Sequence, residues 1–280
     1  MKQSFQILGI ITLLVGSFIY NEKVGLVSKL NDDLLTEIKE KQNDYIEKPI
    51  EAIIKNDTII PGINGKIMDI KKTYTKMKQI GYFDEKLIVY KTSKVKNELK
   101  NNKDKYIISA NKSKKELSLI FKINNKTNIN KIISILDKTN TKATFFIDST
   151  FLENNNNLVI NLINKNHTIG NLSNKEDYTN PDFVWMKTII TNTKQNNNYC
   201  LAETKNKTII NICSMQDSYT IIPTAIIKEK PFINIKQNIN KGSLIVLEGG
   251  SELENELENI INYVISKGYQ IKSLEKVLQE

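Results

Sequence analysis

The sequence predicts an α/β fold in which a mainly parallel sheet, barrel-like or open, is wrapped by helices. Three observations carry that expectation. The run Lys142-Ala143-Thr144-Phe145-Phe146-Ile147 combines β-branched and aromatic residues and closes on Asp148-Ser149-Thr150, as a buried strand ending at a turn does. The run Glu116–Phe121 precedes it, with a helical pattern over Ile129–Leu136 between the two. The same strand–helix alternation then recurs from Lys114 to the end of the sequence, the signature of parallel strands joined by crossover helices. In such a sheet the loops leaving the strands carry any site.

Residues 5–20 form an uninterrupted uncharged segment between Lys2 and Asn21-Glu22-Lys23. As a helix it would span about 24 Å, a little less than the ~30 Å hydrocarbon core. It reads as a signal anchor or a cleaved signal peptide, so 1–23 is expected to address the chain to the cell membrane with the C-terminal part outside the cytoplasm, or secreted after cleavage. Residues 24–55 carry Val27, Leu30, Leu34, Leu35 and Ile38 at spacings of three and four, a helical stalk able to self-associate. Residues 56–112 read as a small accessory α+β segment. Its Pro61-Gly62 and Asn64-Gly65 specify turns, Asp69–Gln79 suits a helix ending at Gly81, and Lys86–Tyr90 and Tyr106–Ala110 suit strands.

Residues 113–280 form the main domain. Expected strands are Leu117–Phe121, Ala143–Ile147, Thr168–Gly170, Tyr199–Ala202, Tyr219–Ile222, Leu244–Leu247 and Tyr269–Ile271. Expected helices are Ile129–Lys138, Asn157–Lys165, Pro181–Thr193, Thr208–Gln216 and Leu253–Lys267. Asn runs such as Asn154–Asn157 fill surface positions between them.

The formal charge is +9, yet all 40 basic residues are Lys. Without the guanidinium fork, and with the lysines spread thinly and not gathered into a stripe, nucleic acid is not an expected partner; the charge reads either as a solvated basic surface or as attraction to an anionic envelope polymer or membrane surface. Cys200 and Cys213 lack metal-ligand spacing. They are either two buried thiols or, in an extracytoplasmic domain, a disulfide.

Two segments, Lys-Ala-Thr-Phe-Phe-Ile at 142–147 and His-Thr-Ile-Gly-Asn at 167–171, together with Ser243–Leu247 and Gly268–Leu274, resemble the polysaccharide deacetylase family (NodB-like, carbohydrate esterase family 4). The resemblance implies a distorted (β/α) barrel whose enzymes remove N-acetyl groups from polysaccharides. It also implies a metal held by one Asp and two His, a second Asp as base and a late His as acid. At the corresponding positions Lys122 stands for the base and Ile123 for the metal Asp. Leu172 and Glu176 stand for the metal histidines, Leu201-Ala202-Glu203 for an Arg-Pro-Pro motif, and Glu248 or Gly249 for the acid. No catalytic set and no metal site is therefore expected, and no cofactor; a divalent metal enters only if the protein hydrolyses through a non-standard set. The sole histidine, His167, falls at a position the family uses for a structural hydrogen bond.

The function expected is that of a membrane-anchored envelope protein with a catalytically degenerate deacetylase-like domain, binding cell-wall polysaccharide or acting as a scaffold. The groove to consider holds Asn171, Glu176, Tyr178, Trp185, Glu203 and Glu248, although the run Phe183–Met186 containing Trp185 also reads as a buried cluster. The alternative is a hydrolase acting on an N-acetylated glycan.

Overall fold

A computed structural model of the chain describes residues 14–17, 32–123, 127–172, 178–191, 193 and 195–280. In chain order its elements begin with helix α1 (Asp33–Lys41), strands β1 (Ile53–Lys55), β2 (Thr58–Ile60) and β3 (Gly65–Met68), helix α2 (Ile70–Met77) and strand β4 (Tyr90–Ser93). There follow β5 (Tyr106–Ile107), β6 (Glu116–Lys122), α3 (Ile129–Lys138), β7 (Thr144–Ile147), α4 (Ser149–Asn154), α5 (Asn156–Asn164) and β8 (Thr168–Asn171). The chain continues through α6 (Asn180–Thr191), β9 (Asn198–Leu201), α7 (Lys207–Met215), β10 (Ser218–Ile221), β11 (Ala225–Ile227) and α8 (Pro231–Asn238). It closes with β12 (Leu244–Leu247), α9 (Ser251–Ser266), β13 (Gln270–Ile271) and α10 (Leu274–Val277).

The chain divides into two compact units, Met1–Pro49 with Asn64–Ser93 and Ile50–Ile63 with Lys94–Glu280. The expected accessory segment 56–112 is thus shared between them. In the first unit Asp32 caps α1, its carboxylate accepting from the Leu35 amide at 3.1 Å and from the Tyr74 hydroxyl. Asp69 caps α2 in the same way through the Lys72 amide. Ile38 packs on Met68, Tyr74 and Met77, with Leu34 and Leu35 at the edge, while β3 and β4 pair antiparallel. Within the described part of the expected stalk, 24–55, the helix covers Asp33–Lys41, with Ile38 buried and Leu34 and Leu35 partly buried inside the unit; Val27 and Leu30 lie outside the described residues.

The second unit is one curled sheet in the order β1-β2-β5-β10-β9-β8-β7-β6-β12-β11, with β13 added on β6. All its pairings are parallel except β1 with β2. Successive side chains of a strand point to opposite faces, and that period divides the core in two. Leu117, Leu119 and Phe121 of β6 join Phe145, Ile169, Ile245 and Leu247 against Ile132 and Leu136 of α3, Leu162 of α5 and Leu257 of α9. The alternate residues Ile120, Phe146, Tyr199, Tyr219 and Val246 face the concave side and meet Leu274, Val277 and Leu278.

Helix α10 closes the strand-entry end. Its first amides donate to Thr144 Oγ1 from Leu274 at 2.9 Å and to Thr168 Oγ1 from Glu275 at 3.1 Å, which satisfies buried groups on both sides. Gly170 is required beside Phe146, because a β-carbon there would lie well inside contact distance of that ring. Cys200 on β9 and Cys213 on α7 form a disulfide, buried against Tyr178 and Phe183.

The apolar segment 5–20 lies outside the described residues except for 14–17. No helix among the described residues is long and apolar enough to cross a membrane.

Candidate functional site

The concave face continues past the strand ends, and the same alternation places the next inward side chains at the mouth. After Ile120 the next inward residue of β6 is Lys122. Two positions after inward Leu201 comes Glu203, and two after inward Val246 comes Glu248. Glu248 is held by its own amide, which donates to the Ile227 carbonyl at 2.9 Å at the end of β11. Lys228 follows that strand directly.

These residues converge. Lys122 Nζ donates to Glu203 Oε1 at 2.9 Å and lies 3.4 Å from Glu248 Oε1, while Lys228 Nζ stands 3.8 Å from Glu248 Oε2. The side chains of Lys122, Glu203 and Glu248 are only 16%, 32% and 17% exposed, so their attraction is less screened than that of a surface pair. Hydrogen bonding from the Lys122 ammonium, opposed in part by burial, holds the Glu203 carboxyl below the usual range. Two ammonium groups balance two carboxylates, and the mouth carries no net charge from this set.

The described residues of the mouth do not fit a divalent cation. A site of that kind needs three or four protein donors around open space. Here the Lys122 ammonium stands between the two carboxylates that would have to serve. Among the described residues no group of three or more His, Cys, Asp or Glu side chains is arranged to hold a metal ion. The Lys122 ammonium, hydrogen-bonded to Glu203 and ion-paired with Glu248, is not a free base.

The other expected positions are dispersed. Ile123 faces the opposite way from Lys122: it is buried in the cluster between sheet and helices, and its amide donates to the Phe146 carbonyl at 3.0 Å. It is therefore not on the floor of the mouth, because adjacent strand residues cannot share a face. Leu172 does point inward and is buried in the concave cluster. Glu176 lies outside the described residues.

The groove residues separate as well. Asn171 and Tyr178 are buried. The Tyr178 hydroxyl donates to the Asn171 carbonyl at 2.7 Å and accepts from the Leu201 amide at 2.8 Å, bridging β8 and β9 where their ladder is reduced to one residue pair. Phe183 and Met186 are buried while Val184 is exposed and Trp185 is 43% exposed. Only half of that cluster is core, because α6 turns one face to the sheet and leaves Trp185 on the solvent side. Of the six groove residues, Glu203 and Glu248 are the pair that the mouth brings together.

One residue of the mouth escaped the sequence reading: Lys228 follows β11, whose Ala225–Ile227 is too short to register as a strand by alternation alone. His167, expected to make a structural hydrogen bond, lies away from the mouth, and its Nδ1 accepts from the Ala143 amide at 3.2 Å. Burial, with the Lys142 ammonium as a lesser cause, pushes its imidazole down to about 4.

Comparison with known proteins accords with this geometry. Residues 109–223 match the family model described as Polysaccharide deacetylase. The chain is 27% identical over 278 residues to the Uncharacterized protein YlxY of Bacillus subtilis (strain 168), covering 91% of this chain and 86% of that protein. Among solved structures it is similar to wild-type BA3943, a CE4 family pseudoenzyme from Bacillus anthracis, with a TM-score of 0.65 at 20% identity over 88% of this chain and 95% of that one. Bacillus subtilis PdaA, a family 4 carbohydrate esterase, aligns with a TM-score of 0.52 at 16% identity over 82% of this chain and 97% of that one. At these identities the structural likeness speaks for the fold alone. The curled parallel sheet with its helical layer is the fold of these carbohydrate esterase family 4 structures, and the stretch 109–223, which holds its central strands, matches the polysaccharide deacetylase family model.

Proposed function

We propose that the protein is a cell-envelope component that holds cell-wall polysaccharide at the mouth of its half-barrel without cleaving it. The observation that carries this reading is the Lys122 ammonium locked between Glu203 and Glu248 where the family's catalytic base would stand. A balanced set of ammonium donors and carboxylate acceptors suits sugar hydroxyls, which both donate and accept. Precedent for the fold without activity comes from BA3943, described as a pseudoenzyme, a mutant of which is described as having restored enzymatic activity.

The apolar segment 5–20 is the proposed membrane anchor, with the half-barrel on the extracytoplasmic side. The buried Cys200–Cys213 disulfide supports that placement, since such bonds persist in oxidising compartments.

The test is made on the full chain in detergent, incubated with N-acetylglucosamine oligomers with and without added Zn²⁺, Mg²⁺ or Mn²⁺, alongside a peptidoglycan pull-down. Glycan retention without acetate release is expected. Metal-dependent acetate release abolished by Glu176→Ala would assign the protein to the hydrolases instead, and failure to retain any N-acetylated glycan would remove the glycan reading.

A further inference from the structure

Strand β1 stands at one end of the sheet order and pairs only with β2, so its far side is an open edge among the described residues. The neighbouring strands decide which backbone groups that edge presents. Ile59 gives its carbonyl to the Ile108 amide just after β5, at 3.3 Å, so its backbone faces β5. Ile54 stands opposite Ile59 in the β1–β2 ladder, and the antiparallel alternation therefore turns its N–H and C=O away from β2. Ala52, two residues earlier, packs on the same concave cluster as Ile54 and shares that direction. Neither backbone finds a partner on that side among the described residues.

An open edge is a template for a further strand, and edges are commonly blunted by charge. On β1 the charges are arranged to complement a copy of themselves. Glu51, Ile53 and Lys55 alternate with Ala52 and Ile54 and form the solvent face; Ile53 is 53% exposed, with the exposed Glu51 and Lys55 on either side. Glu51 Oε2 accepts from the Lys96 amide at 2.9 Å, which leaves Oε1 for a second donor. Lys55 has no ion-pair partner among the described residues.

We propose that β1 pairs antiparallel with β1 of a second copy of this chain, across a twofold axis at Ile53. In that register Ala52 of each copy exchanges two backbone hydrogen bonds with Ile54 of the other. Ile53 meets Ile53 as the close, non-hydrogen-bonded pair, and each Glu51 lies opposite a Lys55. In-register parallel pairing would set Glu51 beside Glu51 and Lys55 beside Lys55, which like charges disfavour. The other side of each β1 is taken by β2, so the contact closes after two chains and does not propagate. A strand this short buries less than the ~1,200 Å² of stable interfaces, so the dimer is a weak one. The proposal is independent of the reading of the mouth.

The test is disulfide trapping on the full chain in detergent, where the native cysteines are buried and already paired. Glu51→Cys, Ile53→Cys and Lys55→Cys are oxidised singly and in mixtures, all three positions being exposed. Ile53→Cys is expected to give a covalent dimer, since Cα atoms of a non-hydrogen-bonded pair lie about 4.5 Å apart, within disulfide reach. Glu51→Cys and Lys55→Cys are expected to stay monomeric alone and to link when mixed. In sedimentation, Glu51→Lys and Lys55→Glu should each weaken self-association about tenfold, and mixing the two should restore it, because the mixed pair sets two lysines against two glutamates. An Ile53→Cys chain that does not link, three cysteine variants that link equally, or charge variants whose mixture recovers nothing would each overturn the proposal.

Discussion

Replacing Lys122 by Met removes the ammonium and keeps most of the side-chain volume, leaving Glu203 and Glu248 facing each other across a half-buried mouth. Breaking a fully buried pair costs about 3–5 kcal/mol. Glu203 is 32% exposed and Lys228 still stands 3.8 Å from Glu248, so solvent and a remaining cation reduce the loss. About 2 kcal/mol at pH 7 is expected. The pH dependence gives the sharper signature. In the native protein Glu203 titrates below its ordinary value, so its contribution is present above that value and fades as the pH falls through the folded-state value. In Lys122→Met Glu203 loses the ammonium that holds it ionised, and its protonation relieves the repulsion between the facing carboxylates, so the deficit shrinks between pH 7 and pH 5. Denaturant unfolding at both pH values measures this. Adding Glu203→Gln and Glu248→Gln to Lys122→Met is expected to recover most of the lost stability, as neutral groups of similar shape leave no charge buried. A deficit under about 0.5 kcal/mol at pH 7 that does not change at pH 5 would refute the reasoning, since it would mean that the cluster behaves as an ordinary exposed pair.

His167 supplies a second pH effect of the same sign. Its folded value of about 4 lies below the ordinary 6.5, so the unfolded chain takes up a proton first as the pH falls. Stability from this residue is complete above 6.5 and is lost between 6.5 and about 4, by about 3 kcal/mol at about 1.4 kcal/mol per pH unit. His167→Gln is expected to flatten the stability profile across that window, which denaturant midpoints taken at half-unit steps will show. Gly170→Ala forces a β-carbon into the Phe146 ring and should cost about 1–3 kcal/mol, read as a lower unfolding midpoint with an unchanged denaturant slope. Replacing Cys200 and Cys213 together by Ala opens a loop with a sequence separation of 13 and should cost about 3 kcal/mol, while dithiothreitol should then have no further effect on the midpoint.

The main strands were legible because each carries enough apolar or β-branched residues to show its period, as Leu117–Phe121 and Ala143–Ile147 do. The concave and helix-side faces follow from that period, yet the motif alignment obscured them: it set Lys122 and Ile123 side by side at one site, while the backbone sends them to opposite faces. Elements of three or four residues, such as β1, β11 and α10, lack the length to display a period and exist through their neighbours. β11 is held by parallel pairing to β12, and α10 by its amides on Thr144 and Thr168. Lys228 was lost with β11. The apolar stripe of α1 was visible, but sequence spacing cannot say which surface covers it, and Met68, Tyr74 and Met77 do so within the same unit. Trp185 and Phe183 are two positions apart on one helix, which is enough to send one outward and the other into the core.

The central claim is that the mouth of this deacetylase fold is closed to metal-assisted hydrolysis by an internal ion-pair cluster. The most direct test is acetate release from N-acetylglucosamine oligomers by the purified full chain under saturating Zn²⁺, with bound metal counted on the same sample after gel filtration. The account predicts release no faster than the metal-only control and no stoichiometric metal retained; one bound cation per chain accompanied by turnover would contradict it.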